Sequence, residues 1–189
     1  NYSQTWIYAN VTSSDSVGLG TLTVRLYNST SDLNTSVSAV GTGNVTYNFT
    51  GLADGTYYLN VTANDSAGNS NSSLVTQVII LDNVNPLVQF GNLATAAGNY
   101  SQTWIYANAT ANDTLSGLSS LRIWLYNSTG LKNSSTISAT SPLAINFTGL
   151  ADGTYYLNVS ANDSAGNINY TATRTIILDT TSPLTLYGN

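Results

Sequence analysis

The 189-residue sequence contains no cysteine, histidine, methionine or glutamate. Without His and Cys there are no usual transition-metal ligands, no Ser-His-Asp or Cys-His nucleophile system and no disulfide framework. Charge is equally scarce. Three Arg, Lys132 and nine Asp make up 7% of the residues, against about 25% in an ordinary soluble domain. The net charge of -5 removes the cationic footprint that nucleic-acid binding requires. No apolar run approaches the roughly 18 to 20 residues of a membrane span, and no leader pattern stands at Asn1. The chain opens in strand-like sequence and is expected to be a mature or excised segment. What is present is 42% apolar residues, too many for a disordered chain. The composition points to a core-forming structural protein with little chemistry of its own.

Self-similarity sets the organisation. Residues 1–12, NYSQTWIYANVT, recur at 99–110 as NYSQTWIYANAT, and residues 49–69, FTGLADGTYYLNVTANDSAGN, recur at 147–167 with one Thr-to-Ser change. The offset is 98 in both blocks and 97 between Pro86 and Pro183. A period near 100 fits one immunoglobulin-like sandwich, which takes about 100 residues. The expected domains are residues 1–82 and 83–179, with 180–189 a linker followed by a further strand.

Within each repeat the apolar period is two. Tyr57, Leu59, Val61 and Ala63 alternate with Tyr58, Asn60, Thr62 and Asn64, so the first set can face a core. The same holds for Ile7/Ala9/Val11, Leu22/Val24/Leu26 and Val45/Tyr47/Phe49. Their counterparts are Ile105/Ala107/Ala109, Leu121/Ile123/Leu125 and Leu143/Ile145/Phe147. Turn clusters at Ser13–Gly20, Ala53–Gly55 and Asn64–Asn71 separate them. Short strands with regular turn signals predict an all-β fold, two tandem immunoglobulin-like β-sandwich domains.

Leu52–Tyr57 and Leu150–Tyr155 (LADGTY) carry the pattern of a tyrosine corner, in which Tyr57 and Tyr155 would bond backbone across the turn. The block Gly55–Asn69, followed by Ile79–Asp82 and Pro86, resembles the bacterial and archaeal Ig-like repeats of large cell-surface and extracellular filament proteins. In those families the penultimate strand ends in an Asp-x-Ala-Gly-Asn turn, and an Asp-Thr-Thr-x-Pro linker leads into the next domain. Asp179–Pro183 (DTTSP) follows that linker; Asp82–Pro86 (DNVNP) departs from it. The resemblance implies the fold and says little of function, because Ig-like modules serve many roles.

Pro86–Phe90 (PLVQF) reads as the first strand of the second domain, and Pro183, Leu184, Thr185, Leu186 and Tyr187 (PLTLY) repeat it after that domain. Nothing like it precedes the first repeat in this sequence, so domain 1 is expected to lack its own first strand. Two readings stay open. The segment is a window on a longer tandem array, or Pro183–Tyr187 is donated to domain 1 of another copy, among Ile7, Ala9 and Val11, as in donor-strand complementation. Head-to-tail contacts that do not close make filaments.

The dense motif is Asn-x-Ser/Thr, the N-glycosylation acceptor. With 24 Asn and 51 Ser plus Thr, chance placement gives about six or seven. There are 18: Asn1, Asn10, Asn28, Asn34, Asn44, Asn48, Asn60, Asn64, Asn71, Asn99, Asn108, Asn112, Asn127, Asn133, Asn146, Asn158, Asn162 and Asn169. Nine fall in each repeat, and the alternation puts Asn48 and Asn60 on outward faces. Polar decoration of exposed strand faces is the bland alternative, and a nearly threefold excess goes beyond it. Glycans would supply the hydration that Lys and Glu usually supply and cover Trp6, Tyr8, Trp104 and Trp124. Those aromatics are otherwise a sugar-binding platform or contacts between domains and subunits.

Asp15/Asp113, Asp54/Asp152, Asp65/Asp163 and Asp82/Asp179 recur between repeats in turns or linkers, where Asp bonds its own backbone. No catalytic pair is indicated, and an enzyme is not expected. Asp65, Asp82 and Asn83, with Asn85, are a minor candidate for a junctional calcium ion; no other cofactor is expected. Lys132, the one Lys, leaves the first repeat without the partner an isopeptide bond needs. The combined expectation is a heavily N-glycosylated structural subunit of an extracellular filament or cell-surface array, of archaeal source, whose partners are copies of itself. An adhesin stalk or carbohydrate-binding array is the alternative.

Overall fold

Period-two sequence gives strands: among the described residues every regular element is a β-strand. The computed structural model describes residues 1–39, 44–72, 75–138 and 140–187, and the side chains of 32, 34–39 and 136–138 lie outside that description, Asn34 among them. The chain forms two units, Asn1–Asn83 and Val84–Asn189. Each is an immunoglobulin-like β-sandwich.

Unit 1 contains β1 (Trp6–Thr12), β2 (Leu19–Tyr27), β3 (Asp32–Ala39), β4 (Asn44–Thr50), β5 (Gly55–Asp65), β6 (Ser70–Ser72) and β7 (Gln77–Leu81). One sheet is the antiparallel pair β1–β4; the other runs β3-β2-β5-β6, with β7 also paired to β5. Unit 2 contains β8 (Leu87–Phe90), β9 (Gly98–Tyr100), β10 (Ile105–Asn112), β11 (Leu118–Asn127), β12 (Gly130–Ser138), β13 (Leu143–Phe147), β14 (Gly153–Asp163), β15 (Ile168–Tyr170) and β16 (Arg174–Leu178). Its sheets are β13-β10-β8 and β12-β11-β14-β16-β9, with β15 on β14.

The alternating residues meet between the sheets, as face-to-face packing requires. In unit 2, Ile105, Ala107, Ala109, Leu121, Ile123, Leu125, Leu157, Val159 and Ala161 are all fully buried. In unit 1, Leu22, Val24 and Leu26 are equally buried, and Ile7, Ala9 and Phe49 nearly so. Leu59, Val61 and Ala63, however, are only half-buried, although residues 49–69 match 147–167 almost letter for letter. The difference comes from what lies opposite them.

The tyrosine corners close both sandwiches. Tyr57 Oη donates to the Ala53 carbonyl at 2.7 Å, and Tyr155 Oη to that of Ala151 at 3.0 Å. Burial, aided by the Asp54 carboxylate, pushes the Tyr57 phenol above its ordinary range.

Candidate strand-addition site

β8 shows what a first strand does in this sandwich. It pairs antiparallel with β10, placing Phe90 opposite Ala109, Gln89 opposite Thr110, Val88 opposite Ala111 and Leu87 opposite Asn112. Val88 is buried in the core and Phe90 packs against it, while Leu87 and Gln89 face outward. The Arg174 guanidinium lies 4.0 Å over the Phe90 ring and donates to the carbonyls of Ala94 and Thr95. Burial lowers the Arg174 pKa from its ordinary value, and the two carbonyls and the ring face replace lost water. At the strand's end Gly91 N–H donates to the Asn108 carbonyl at 2.8 Å. A Cβ at Gly91 would fall 1.6 Å from Asn108 Oδ1, so glycine leaves room for the Asn108 side chain, which would have to turn aside for any larger residue.

Among the described residues, no strand covers the same edge of unit 1. β1 pairs with β4 on one side, with Val11 opposite Val45, and its other side borders a groove of about 610 Å³. Ala9, Val11, Leu22, Leu59, Val61 and Ala63 form the apolar lining, joined by Asn71, Val75 and Gln77 among others. Leu59, Val61 and Ala63 are the counterparts of Leu157, Val159 and Ala161, which the presence of β8 helps to bury in unit 2. Of the residues expected as core neighbours of a donated strand, Ala9 and Val11 line the groove, and Ile7 is buried in the core.

The segment repeating β8 carries no strand assignment and lies in solvent. Leu184 and Leu186 are 84% and 83% exposed, and Tyr187 is fully exposed. The sequence match extends further than PLTLY: PLVQFGN (86–92) corresponds to PLTLYGN (183–189), so Gly188 matches Gly91.

The sequons divide by environment. Asn1, Asn10, Asn44, Asn48, Asn71, Asn99, Asn112, Asn133 and Asn146 are exposed. Asn28, Asn60, Asn64, Asn108, Asn127, Asn158, Asn162 and Asn169 are half-buried. The Nδ2 groups of Asn158 and Asn169 already donate, the first to Thr171 O and Thr173 Oγ1, the second to Pro86 O. Asn60 faces outward yet is less open than alternation implies, because its Nδ2 donates to Tyr27 Oη and its Oδ1 is buried. Trp124, expected to be exposed, is half-buried: its Nε1 donates to Ser160 Oγ at 3.1 Å and Arg122 lies 4.3 Å over its ring.

The acidic turns are occupied by their own backbones. Asp163 Oδ1 accepts N–H donors from Ala165, Gly166 and Asn167, and Oδ2 accepts the Asn167 amide. Asp65 accepts from Ala67 and twice from Asn69. Asp113 accepts from Leu115 and Gly117, and its carboxylate comes within 4.8 Å of that of Asp163. Asp54 accepts the Asn83 amide at 2.7 Å, and Asp152 accepts Thr180 N–H and hydroxyl. These carboxylates tie turns and linkers down. The Asn83 amide also donates to Gln4 O, and Asp82 is buried, with its N–H on Tyr2 O.

Residues 11–83 match the family described as bacterial Ig-like domain, in line with the resemblance seen in the sequence. No curated protein matches the chain. Similar solved structures include the fibronectin(III)-like modules of Clostridium thermocellum CbhA, at 17% identity, TM-score 0.49, and coverage of 100% of this chain and 93% of that one. A tetra-tandem repeat from the extending region of a large adhesion protein gives 20% identity and TM-score 0.45, covering 92% of this chain and 45% of that one. The chicken CNTN1 FN1-FN3 domains give 17% and 0.45, covering 84% and 55%.

Proposed function

We propose that this chain is a structural subunit of a heavily N-glycosylated extracellular filament, archaeal in origin, assembled head to tail by strand addition. Pro183–Tyr187 of one copy enters the groove beside β1 in unit 1 of the next. The observation that carries this reading is the correspondence between groove and segment: unit 2 fills the equivalent position with β8, and residues 183–189 repeat the sequence of β8 and of the Gly-Asn that follows it.

The β8 register, moved by the repeat offsets, sets Tyr187 opposite Val11, Leu186 opposite Thr12, Thr185 opposite Ser13 and Leu184 opposite Ser14. Thr185 and Tyr187 then point inward, as Val88 and Phe90 do. Backbone hydrogen bonds supply affinity and the two inward side chains supply selection. Because donor and acceptor are different surfaces, each added copy leaves a new free end, which gives a filament. Sugars on the sequons supply the hydration that so few ions cannot.

Removing residues 183–189 tests this directly. The truncated chain is expected to keep unit 2 folded and to give no filaments by electron microscopy. Filaments like those of the full chain contradict strand addition. A second reading, an adhesin stalk or carbohydrate-binding array, is favoured by the exposed Trp104 and the half-buried Tyr106 beside one depression in unit 2. Loss of glycan-array binding in Trp104→Ala would support it.

A further inference from the structure

Two sequons stand in the same place in the two units, each beside aromatic side chains. In the β1–β4 ladder Asn48 lies opposite Tyr8, and Thr50, the hydroxyl residue of its sequon, lies opposite Trp6. In the β10–β13 ladder Asn146 lies opposite Tyr106. Directly opposed residues have Cβ atoms about 4.5–5.5 Å apart on one face. That face is the outer one, because Phe49 and Phe147 between the sequon residues are buried while Asn48 and Asn146 are exposed.

The aromatics are costly where they stand. Trp6 is 43%, Tyr8 53% and Trp104 42% exposed, with apolar rings left in water. Their placement is built twice: Gln4 Nε2 donates to the Trp6 carbonyl and Gln102 Nε2 to the Trp104 carbonyl, each at 2.7 Å. In unit 2, Trp104, Tyr106, Asn146 and Thr148 line one depression of about 620 Å³, walled further by Leu93 and Tyr100.

We propose that Asn48 and Asn146 carry N-glycans whose protein-proximal sugar lies on this aromatic row, so that the row receives the chain's own carbohydrate. This rests on the glycoprotein reading above. In attachment, Asn Nδ2 bonds to C1 of a lipid-phosphate-activated oligosaccharide under its transferase. The C1–O bond to phosphate breaks, and one Nδ2 proton leaves as the phosphate departs with its electron pair. Cross-strand from the new bond, the C–H face of the pyranose covers the tyrosine and then the tryptophan ring, burying apolar surface on both.

The test uses the glycosylated chain. Glycopeptide mapping is expected to find Asn48 and Asn146 occupied, and proton spectra to show sugar C–H resonances shifted upfield by the rings. Asn146→Gln should lower the unfolding temperature of unit 2 by roughly 4 °C or more, and by much less in a Tyr106→Ser background. Tyr106 is on the solvent face, so that background is expected to fold; the resonance shifts need no variant. Both sites empty while other sequons are occupied overturns this inference and leaves the glycoprotein reading standing. Occupied sites with unshifted sugar resonances, or with additive losses, overturn it too. No sugar at any of the 18 sequons overturns both.

Discussion

Ala109 lies opposite Phe90 across the β8–β10 ladder. Its repeat counterpart, Val11, has Val45 on one side and an open groove on the other. The inner strand behind the groove is therefore half-wet in one unit and dry in the other, from nearly identical sequence. Fully burying a Leu or Val side chain contributes about 1.5–3 kcal/mol, so the two units should differ in stability.

Denaturant unfolding of residues 1–189 as single, unassembled chains is expected to show two transitions, unit 1 first. A peptide of residues 182–189 should raise only the first. One transition unaffected by the peptide counts against the groove as a strand site.

Leu157→Ala, at a fully buried position, should cost unit 2 about 2–5 kcal/mol. Leu59→Ala, its half-buried counterpart, should cost unit 1 distinctly less, and more once the peptide is bound. Equal costs in the free chain would mean that the groove does not wet Leu59.

Tyr155→Phe removes the 3.0 Å bond to Ala151 O and should destabilise unit 2 by about 0.5–1.5 kcal/mol. Chemical denaturation measures it, with no change in filament register expected.

Three turn carboxylates, those of Asp15, Asp65 and Asp179, sit below the ordinary value of 3.8. The chief causes are the Gly18 N–H for Asp15, the Asn69 side chain for Asp65 and the Thr181 hydroxyl for Asp179. A depressed folded pKa gives stability that is present above the unfolded value and lost as pH falls through the folded one. Stability should therefore hold from neutral pH down to about 4 and fall below it. Asp65→Asn should flatten part of that fall, as read by thermal melts at stepped pH.

Strand positions and inward faces were legible wherever alternation was local: Leu22/Val24/Leu26 and Ile105/Ala107/Ala109 are buried as the pattern requires. Leu59 and Leu157 could not be told apart that way, because their burial is decided by a strand distant in sequence. Asn60 and Trp124 lie on the expected face but are less open than alternation implies, since Tyr27 Oη and Ser160 Oγ reach them from neighbouring strands and Arg122, two residues along the same strand, covers the Trp124 ring. The acidic turns were legible because an Asx turn is a local device. The pairing that gives Pro183–Tyr187 its meaning, β8 against β10, joins segments distant in sequence.

The central claim is the strand register between copies, and the natural absence of cysteine makes it directly measurable. Two differently tagged chains, one Val11→Cys and one Tyr187→Cys, are mixed under oxidising conditions and run on a non-reducing gel. Opposed positions in an antiparallel pair lie close enough for a disulfide. Strand addition predicts a strong crosslink carrying both tags, lost when Tyr187→Cys is replaced by Leu184→Cys. No mixed-tag product, or an equal yield from the shifted cysteine, would contradict the account.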